Sequence, residues 1–552
     1  MVPMKRSILI CLTVLLLPFF CHVATRAQMR PSMGPHAPLK SGGPGIAGGT
    51  DVIIHDDATQ NQRQACLDIS TSGVMYAVYT VDQGSNMRWE IRRSVNQGAD
   101  WYLQNYTTLG TNWYIVAIDL LVTETAAEGI RLYIATVAQN DISGYSELTL
   151  KKYDMNGSVI SQLYHVTVTL PETFNDVSLA SDFMNPATGA SPYSMGLVYT
   201  KYSLAMDSVI FMSSSNGGTS LDGKTILEYT SNFTRNVSLA YGRCHTFSDG
   251  GYYAAWEERL GFDNDIGQIW SSHSYPFFSS AFTTPERMDN MIGASDSYCR
   301  NPVVACQNND LDNSSGNLTE IILFDRAYNG DINNFDQVGL FNTEAVNTLN
   351  WSITSVDGNV SINAVEPDMK FFSSDNYFFT TYFYNESGNQ KLRCLAQDMN
   401  MLLPYNWIVV SDRYNDDMNL SLPYPKLGYD PIRNDVAFVW NAEGSGGKGI
   451  AMYDASDITV GINPPASSGM ILTAFPNPAS GVTQLTFELQ KQERVQIAVF
   501  TVYGELVKAV PDKDLPAGIQ RIPVTVSDLP QGTYFYRVTA GSESGCGKLV
   551  VL

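Results

Sequence analysis

Several residue types that mark common classes of protein are scarce in this sequence. Only 16% of its 552 residues are charged, six are histidine, and the cysteines form no CxxC pair, which excludes zinc-ribbon and thioredoxin-like chemistry. GxSxG, HExxH, Walker and Rossmann patterns do not occur in a suitable context. Acidic residues outnumber basic ones by 55 to 34, so the formal net charge of −21 argues against nucleic acid or anionic lipid as a partner.

Aromatic residues, in contrast, are abundant. They make up 11% of the chain and include 30 tyrosines, a composition that favours strands over charged surface helices. The length suits one large repeat domain followed by a small module.

The N-terminus has the pattern of a signal peptide, which we assign to residues 1–27. Lys5 and Arg6 precede an apolar stretch from Ile8 to Phe20, and Ala24 or Ala27 offers a small residue for cleavage. The alternative is a membrane anchor, but this stretch is shorter than the ~20 residues needed to span a bilayer. No other long apolar run follows, so we predict an exported mature chain without a transmembrane segment.

Six cysteines remain after residue 27, and we predict single buried thiols. They are widely spaced, and an extended chain between Cys299 and Cys306 would hold even this nearest pair too far apart for a disulfide. The others are Cys66, Cys244, Cys394 and Cys546.

Two Gly- and Pro-rich breaks divide the chain. Residues 28–50 predict a flexible lead-in and residues 461–470 a linker. Between them, residues 51–460 repeat a short apolar segment, an aromatic strand and a third strand that enters a polar turn. The repeat starts are Ala65–Ile69, Ile115–Leu121, Val177–Ala180, Val237–Tyr241, Pro302–Cys306, Pro367–Phe372 and Pro425–Tyr429.

This spacing predicts an all-β fold, a β-propeller of about seven blades, with six or eight blades as alternatives. A β-sandwich array is the other architecture considered, but it would need even alternation and separable linkers. No helix-length amphipathic pattern interrupts the region.

Two polar turns resemble the Asp-box of sialidase-like propellers, although both have Asn where that family has Asp. Their residues are Ser94, Asn96, Gly98 and Trp101 in the first turn, and Ser214, Asn216, Gly218 and Leu221 in the second. Such boxes are structural turns, so the resemblance implies a sialidase-like propeller fold and no particular chemistry.

Residues 471–552 alternate apolar and polar side chains in about seven short runs, which predicts a small Ig-like β-sandwich. This module resembles the type A C-terminal sorting domain of the type IX secretion system of Bacteroidetes. The resemblance is carried by Pro476, Asn477, Pro478, Gly504, Gly532, Tyr534, Arg537, Lys548 and Val550, in this order and at the end of the chain. It implies Sec export to the periplasm, recognition by the secretion machinery and its sortase, and release of the cargo or its attachment at the cell surface.

No catalytic residue can be assigned from the sequence. A sialidase needs clustered arginines and an acidic proton donor. Arg300-Asn301-Pro302 preserves only Arg-x-Pro of that family's motif, and it lies in the wrong part of the chain. Glu257 and Glu258, after an aromatic strand, are expected to be surface carboxylates.

No cofactor is predicted. Calcium is considered at the acidic loops 263–265 and 310–313, but neither has the EF-hand spacing, and solvated turns are favoured.

The polar, Tyr-rich loops favour a non-catalytic binding module for an extracellular glycan or protein over the alternative, a secreted sialidase-like glycosidase. Clustered arginines for an anionic sugar were not found.

Overall fold

A computed structural model of the chain describes part of its residues. These are 46–47, 51–55, 60–182, 193–204, 206–244, 247–260, 267–274, 281–292, 298–308, 318–328, 330–342, 351–355, 363–372, 377–386, 389–398, 404–409, 425–430, 435–443, 448–456, 473–475, 477, 479–489, 491–501, 506–540 and 543–551. They divide into two compact units, Met1–Ile458 and Thr459–Leu552. Within these ranges no helix has the length and apolar character that crossing a membrane requires.

The first unit is built of strands. In chain order they are β1 (Ile46–Ala47), β2 (Val52–Ile53), β3 (Asn61–Ile69), β4 (Met75–Asp82), β5 (Met87–Ser94), β6 (Tyr102–Thr108), β7 (Trp113–Thr125), β8 (Gly129–Asn140), β9 (Tyr145–Asp154), β10 (Val159–Thr169), β11 (Thr173–Ser181), β12 (Met195–Tyr202), β13 (Asp207–Ser214), β14 (Thr225–Thr230), β15 (Phe233–Cys244), β16 (Phe247–Arg259), β17 (Gly267–His273), β18 (Glu286–Arg287), β19 (Cys299–Cys306), β20 (Glu320–Tyr328), β21 (Asp331–Asn342), β22 (Ser352–Ser355), β23 (Val365–Phe372), β24 (Tyr377–Glu386), β25 (Asn389–Asp398), β26 (Pro404–Val409), β27 (Lys426–Asp430), β28 (Asp435–Glu443) and β29 (Gly449–Ser456). One 3₁₀ turn, Asp289–Ile292, follows β18.

In the described residues these strands form seven sheets, which we call blades 1 to 7. Blades 1 to 5 are the meanders β3–β6, β7–β10, β11–β14, β15–β18 and β19–β22; blade 6 contains β23–β26 and blade 7 contains β27–β29. The first strand of each blade packs against the first strand of the next, and β27 of blade 7 packs against β3 of blade 1. This closed ring of inner strands makes the unit a β-propeller, as predicted.

Each of the seven predicted repeat starts lies in the inner strand of one blade, and the aromatic runs form second strands. These second strands are buried on both faces because each blade is covered by its neighbours. Tyr79 in β4, Trp256 in β16 and Trp440 in β28 are fully buried.

The N-terminal segment completes the outside of the last two blades. Val52 and Ile53 of β2 pair antiparallel with Tyr453 and Met452, so β2 is the outermost strand of blade 7. The β1 strand pairs parallel with β26 at the outer edge of blade 6. Residues 46–47 are therefore paired, although 28–50 were predicted to be a flexible lead-in.

The five cysteines with described side chains, at 66, 244, 299, 306 and 394, are buried thiols that form no disulfide with one another, in agreement with the sequence prediction. Burial raises the pKa of the Cys66, Cys306 and Cys394 thiols above the ordinary range.

The second unit contains two antiparallel sheets in its described residues. Its strands are β30 (Thr473–Phe475), β31 (Val482–Leu489), β32 (Glu493–Thr501), β33 (Leu506–Leu515), β34 (Gly518–Thr525), β35 (Gly532–Ala540) and β36 (Glu543–Val551). One sheet has the order β30-β31-β34 and the other β33-β32-β35-β36. Phe487 from the first sheet and Ile497 from the second belong to one apolar core.

Candidate functional site

The inner strands of four blades contain a distorted residue near their start. Gln64, Asn236, Asn301 and Glu366 have φ of 54°, 49°, 52° and 59°, values that residues other than glycine seldom adopt. The pairing register shifts at each of these positions, which marks a β-bulge. Bulges turn a strand and re-aim its polar groups, and here they do so at the same end of each inner strand.

Glu257 fills the space between the bulges of blades 4 and 5. Its Oε1 accepts hydrogen bonds from Nε of Arg235 at 3.0 Å and from Nε of Arg259 at 2.6 Å. Its Oε2 accepts one from Nδ2 of Asn236 at 2.6 Å and one from the backbone N–H of Asn301 at 3.2 Å. The carboxylate is fully buried and has donors on both oxygens, so it holds two blades together.

Asp325 occupies the equivalent place in blade 5, opposite Arg300. Its Oδ2 accepts hydrogen bonds from Nε of Arg300 at 3.2 Å and Nδ2 of Asn301 at 2.7 Å. Its Oδ1 accepts one from Nε2 of Gln337 at 2.6 Å and one from the backbone N–H of Glu366 at 3.0 Å. Burial raises the pKa of Asp325 to about 6, against the opposing effect of Arg300.

Three residues singled out in the sequence thus lie in or beside this network, but not as expected. Glu257 and Glu258 are buried, with exposed fractions of 0% and 2%, and the expectation of surface carboxylates was wrong. Both lie in β16, which is covered by neighbouring elements. Glu258 accepts hydrogen bonds from Asn232 at 2.9 Å and from Trp256 at 3.3 Å, and burial raises its pKa. Arg300 stacks on Phe335, with 3.7 Å between the guanidinium carbon and the ring centroid.

A second set of acidic residues lies along the inner strands. Asp68 accepts a hydrogen bond from the N–H of Val122 at 2.7 Å, and Asp119 accepts one from Leu179 at 2.8 Å. An inner strand is an edge strand of its blade, so the N–H groups on its open side have no partner within the sheet. Each of these carboxylates accepts a hydrogen bond from one such N–H group on the following blade. Asp176 and Asp368 do the same for Val237 and Leu427 at 3.0 and 2.8 Å.

Two lysines balance part of this charge. Nζ of Lys370 lies 3.0 Å from Asp68, and Nζ of Lys426 lies 3.4 Å from Asp368. Burial alone would lower the pKa of each lysine, but the nearby carboxylates raise it, so both remain charged. Burial raises the pKa of Asp176 to about 6.

The two Asp-box-like turns have matching hydrogen bonds. In the turn between β5 and β6, Ser94 Oγ donates to Asn96 Oδ1 at 2.9 Å and accepts from the N–H of Gly98 at 2.8 Å. Between β13 and β14, the corresponding distances for Ser214, Asn216 and Gly218 are 2.8 and 3.0 Å.

A tyrosine of the preceding blade contacts each turn. The hydroxyl of Tyr453 donates to the carbonyl of Gln97 at 3.1 Å, and that of Tyr133 donates to Gly217 at 2.9 Å. Trp101 packs edge-on against Tyr453, while Leu221 lies against the core that contains Tyr133. The turns therefore join adjacent blades. They are separate in sequence from the residues that bond to Glu257 and Asp325.

Most of the residues that carry the sorting-domain resemblance lie in the part of the chain that the structure describes. Asn477 accepts a hydrogen bond from the N–H of Val550 at 2.8 Å. Tyr534 donates to the carbonyl of Pro530 at 2.8 Å, and the guanidinium of Arg537 lies 5.6 Å from the Phe500 ring. Gly532 begins β35, and Lys548 lies in β36 opposite Phe535. Pro476, Pro478 and Gly504 lie outside the described residues.

Residues 473–552 match the family described as the secretion system C-terminal sorting domain. The C-terminal unit carries a type IX sorting domain. This domain indicates export and a secreted or outer-surface location, and it implies the secretion machinery as a partner.

Solved structures resemble the chain at low identity. An α-L-arabinofuranosidase from Fusarium graminearum is 10% identical, with a TM-score of 0.42 over 74% of this chain and 97% of its own. An α-L-arabinanase from Penicillium chrysogenum is 9% identical, with a TM-score of 0.43 over 74% and 98%. A sialidase from Trypanosoma rangeli is 9% identical, with a TM-score of 0.37 over 94% and 89%. These likenesses concern fold alone, and a comparison with curated proteins found no match in sequence.

Within the described residues, no group of three or more His, Cys, Asp and Glu side chains has an arrangement that would hold a metal ion. The acidic loops 263–265 and 310–313, considered for calcium, lie outside those residues.

Sequence reasoning assigned no role to Arg235, Asn236, Asn301, Asp325 and Gln337. A usable signal was present, because Arg-Asn occurs both at 235–236 and at 300–301, each time directly before a repeat start. The acidic residues at 68, 119 and 368 likewise recur inside the repeat segments.

Proposed function

We propose that this is an exported surface or secreted protein whose propeller acts as a non-catalytic binding module for a neutral glycan or a protein. Residues 1–27 act as a signal peptide for Sec export to the periplasm. The outer-membrane machinery then recognises residues 471–552, and its sortase removes them, after which the propeller is released or attached at the surface.

The observation that supports binding over hydrolysis is the burial of two carboxylates, those of Glu257 and Asp325. A glycosidase needs a pair of carboxyl groups that are open to the substrate, one to donate a proton and one to act as base or nucleophile. Glu257 and Asp325 are fully buried, and each accepts hydrogen bonds from side chains and from the backbone of the next blade. Neither has the access that either role demands.

The arginines of the same network favour an uncharged ligand. Arg235 and Arg259 donate to Glu257, and Arg300 donates to Asp325, so their charge is compensated inside the protein. The outer strands β6 and β14 present tyrosines that stack well on sugars and on protein surfaces, namely Tyr102, Tyr106 and Tyr229, which are 54% to 60% exposed.

The test of binding uses the mature chain in two parallel assays, a panel of chromogenic glycosides and a glycan array. We expect no turnover, together with array binding to neutral oligosaccharides; binding only to proteins of the cell surface would support the protein arm. Turnover that is abolished in Glu257→Gln or Arg300→Ala, while circular dichroism shows both variants folded, would overturn the proposal.

Export is tested separately in the native bacterium by deleting Lys548–Leu552. We expect the truncated chain to accumulate inside the cell envelope, whereas the wild-type protein should reach the surface or medium without most of residues 471–552. Delivery of the truncated chain at the wild-type level would contradict the sorting role.

A further inference from the structure

The two ends of the sorting domain meet at a single residue. The backbone N–H of Val550 donates to Oδ1 of Asn477 at 2.8 Å, and its carbonyl accepts from the N–H of Ala479 at 2.9 Å. Ala479 also forms a parallel bridge with Val551. Asn477 and Ala479 thus both contact the last strand, although Asn477 and Val550 are 73 positions apart in the sequence.

This pairing occurs on the open side of the sheet. The β36 strand is the last in the order β33-β32-β35-β36, and its other side pairs with β35. Leu549 and Val551 are buried in the core, and the N–H and carbonyl of Val550 both bond away from β35, at the open edge. An uncovered edge strand frays or pairs with other chains, and Asn477 and Ala479 occupy this edge at Val550.

The partners of Val550 differ in kind. Ala479 is 1% exposed and belongs to the core, so its position is fixed by packing. Asn477 is exposed, and its contact with Val550 is a hydrogen bond at the surface. One such bond is a small part of the stability of a domain, but it fixes where the end of the chain lies.

We propose that Asn477 is a positioning residue of the sorting signal, which holds the terminal strand β36 in the place where the secretion machinery reads it. The signal is then a folded pair, the start of the domain joined to its end, and not a linear tail. This inference rests on the export role proposed above.

The experiment compares three variants of the full-length chain in the native bacterium. Asn477→Ala removes the acceptor, and Asn477→Asp keeps an acceptor oxygen at the same place. Gln496→Ala is the matched control, because Gln496 donates a surface hydrogen bond to Asp512 at 2.9 Å in the same sheet, from β32, which β35 separates from β36. The delivered fraction is measured, together with hydrogen exchange of the purified full-length variants.

We expect Asn477→Ala to lower the delivered fraction at least about fivefold, with faster exchange confined to peptides that cover residues 543–552. Asn477→Asp should recover at least half of the delivery, and Gln496→Ala should match the wild type. Normal delivery of Asn477→Ala, an equal loss in Asn477→Asp, or faster exchange throughout the domain would each overturn the proposal.

Deletion of Lys548–Leu552 separates this inference from the export role. If that deletion leaves delivery normal, the export role itself fails. If the deletion blocks delivery while Asn477→Ala does not, the export role holds and only the positioning role fails.

Discussion

The backbone N–H of Asn301 donates to Glu257 across the boundary between blades 4 and 5, at 3.2 Å. The same relation recurs at the next boundary, where the N–H of Glu366 donates to Asp325 at 3.0 Å. A third instance joins blades 7 and 1, where Asn441 accepts from the N–H of Ala65 at 3.0 Å. A polar side chain on a second strand therefore fixes the start of the following inner strand at three boundaries.

The first prediction concerns the loss of this link. Glu257→Ala removes the acceptor shared by Arg235, Arg259 and the buried N–H of Asn301, and a buried donor left unsatisfied costs about 1–3 kcal/mol. We expect the free energy of unfolding, measured by chemical denaturation, to fall by that amount, and the denaturant midpoint to fall with it. Glu286→Gln, an exposed position in the same blade, should change it by less than about 0.5 kcal/mol. Equal midpoints for the two variants would show that the network contributes no stability.

The second prediction concerns pH. Glu320 is fully buried, neither of its oxygens accepts a hydrogen bond from the residues that the structure describes, and burial raises its pKa to about 8. The folded chain thus binds a proton more tightly than the unfolded chain, whose carboxyl has an ordinary acidic pKa. The resulting stability is complete below the unfolded pKa and is lost as the pH rises through about 8.

Thermal unfolding from pH 6 to 9 measures this effect. The wild-type melting temperature should fall across the range, and Glu320→Gln, which cannot ionise, should show a flatter profile. Identical pH profiles would mean that Glu320 does not titrate in this window.

The third prediction concerns the Asp-box-like turns. A Cβ at Gly98 would overlap the Tyr453 ring, and φ there is +83°, whereas Gly84 has φ of +91° with open space around it. Gly84→Ala should cost only the strain of holding alanine in a left-handed backbone conformation, roughly 1–2 kcal/mol. Gly98→Ala adds overpacking of about 1–3 kcal/mol. Chemical denaturation of both variants checks the difference, and equal losses would show that the tyrosine moves aside without cost.

The fourth prediction concerns the N-terminal strand of blade 7. Removing residues 28–55 deletes β1, β2 and the buried Ile54, whose N–H donates to Ala451 at 3.0 Å, and it exposes the edges of β26 and β29. We expect a lower melting temperature and aggregation, because an open apolar edge pairs with other chains. Removal of residues 28–45 alone serves as the control and should behave like the wild type. Loss of stability in the shorter deletion would place the effect elsewhere in the lead-in.

Much of the fold could be predicted from repetition in the sequence. The segments around Cys66 and Val237 recur because every blade needs an inner strand with the same neighbours. The burial of Glu257 could not be predicted in this way. Its burial depends on Asn301 and Arg235, which are 44 and 22 residues away, and nothing local to Trp256-Glu257-Glu258 indicates them. The strand β2 was missed because two paired residues give no periodic signal.

The position of β2 also bears on the order in which parts of the propeller fold. Its partner β29 ends at Ser456, so the chain must emerge almost as far as the sorting domain before its first paired residues meet their partners. Contacts over such a separation form late, since the entropy of closing so long a loop opposes them. Blade 7 therefore gains its outermost strand only after residues 51–456 have all been synthesised, and we expect this closure to be among the last steps of folding.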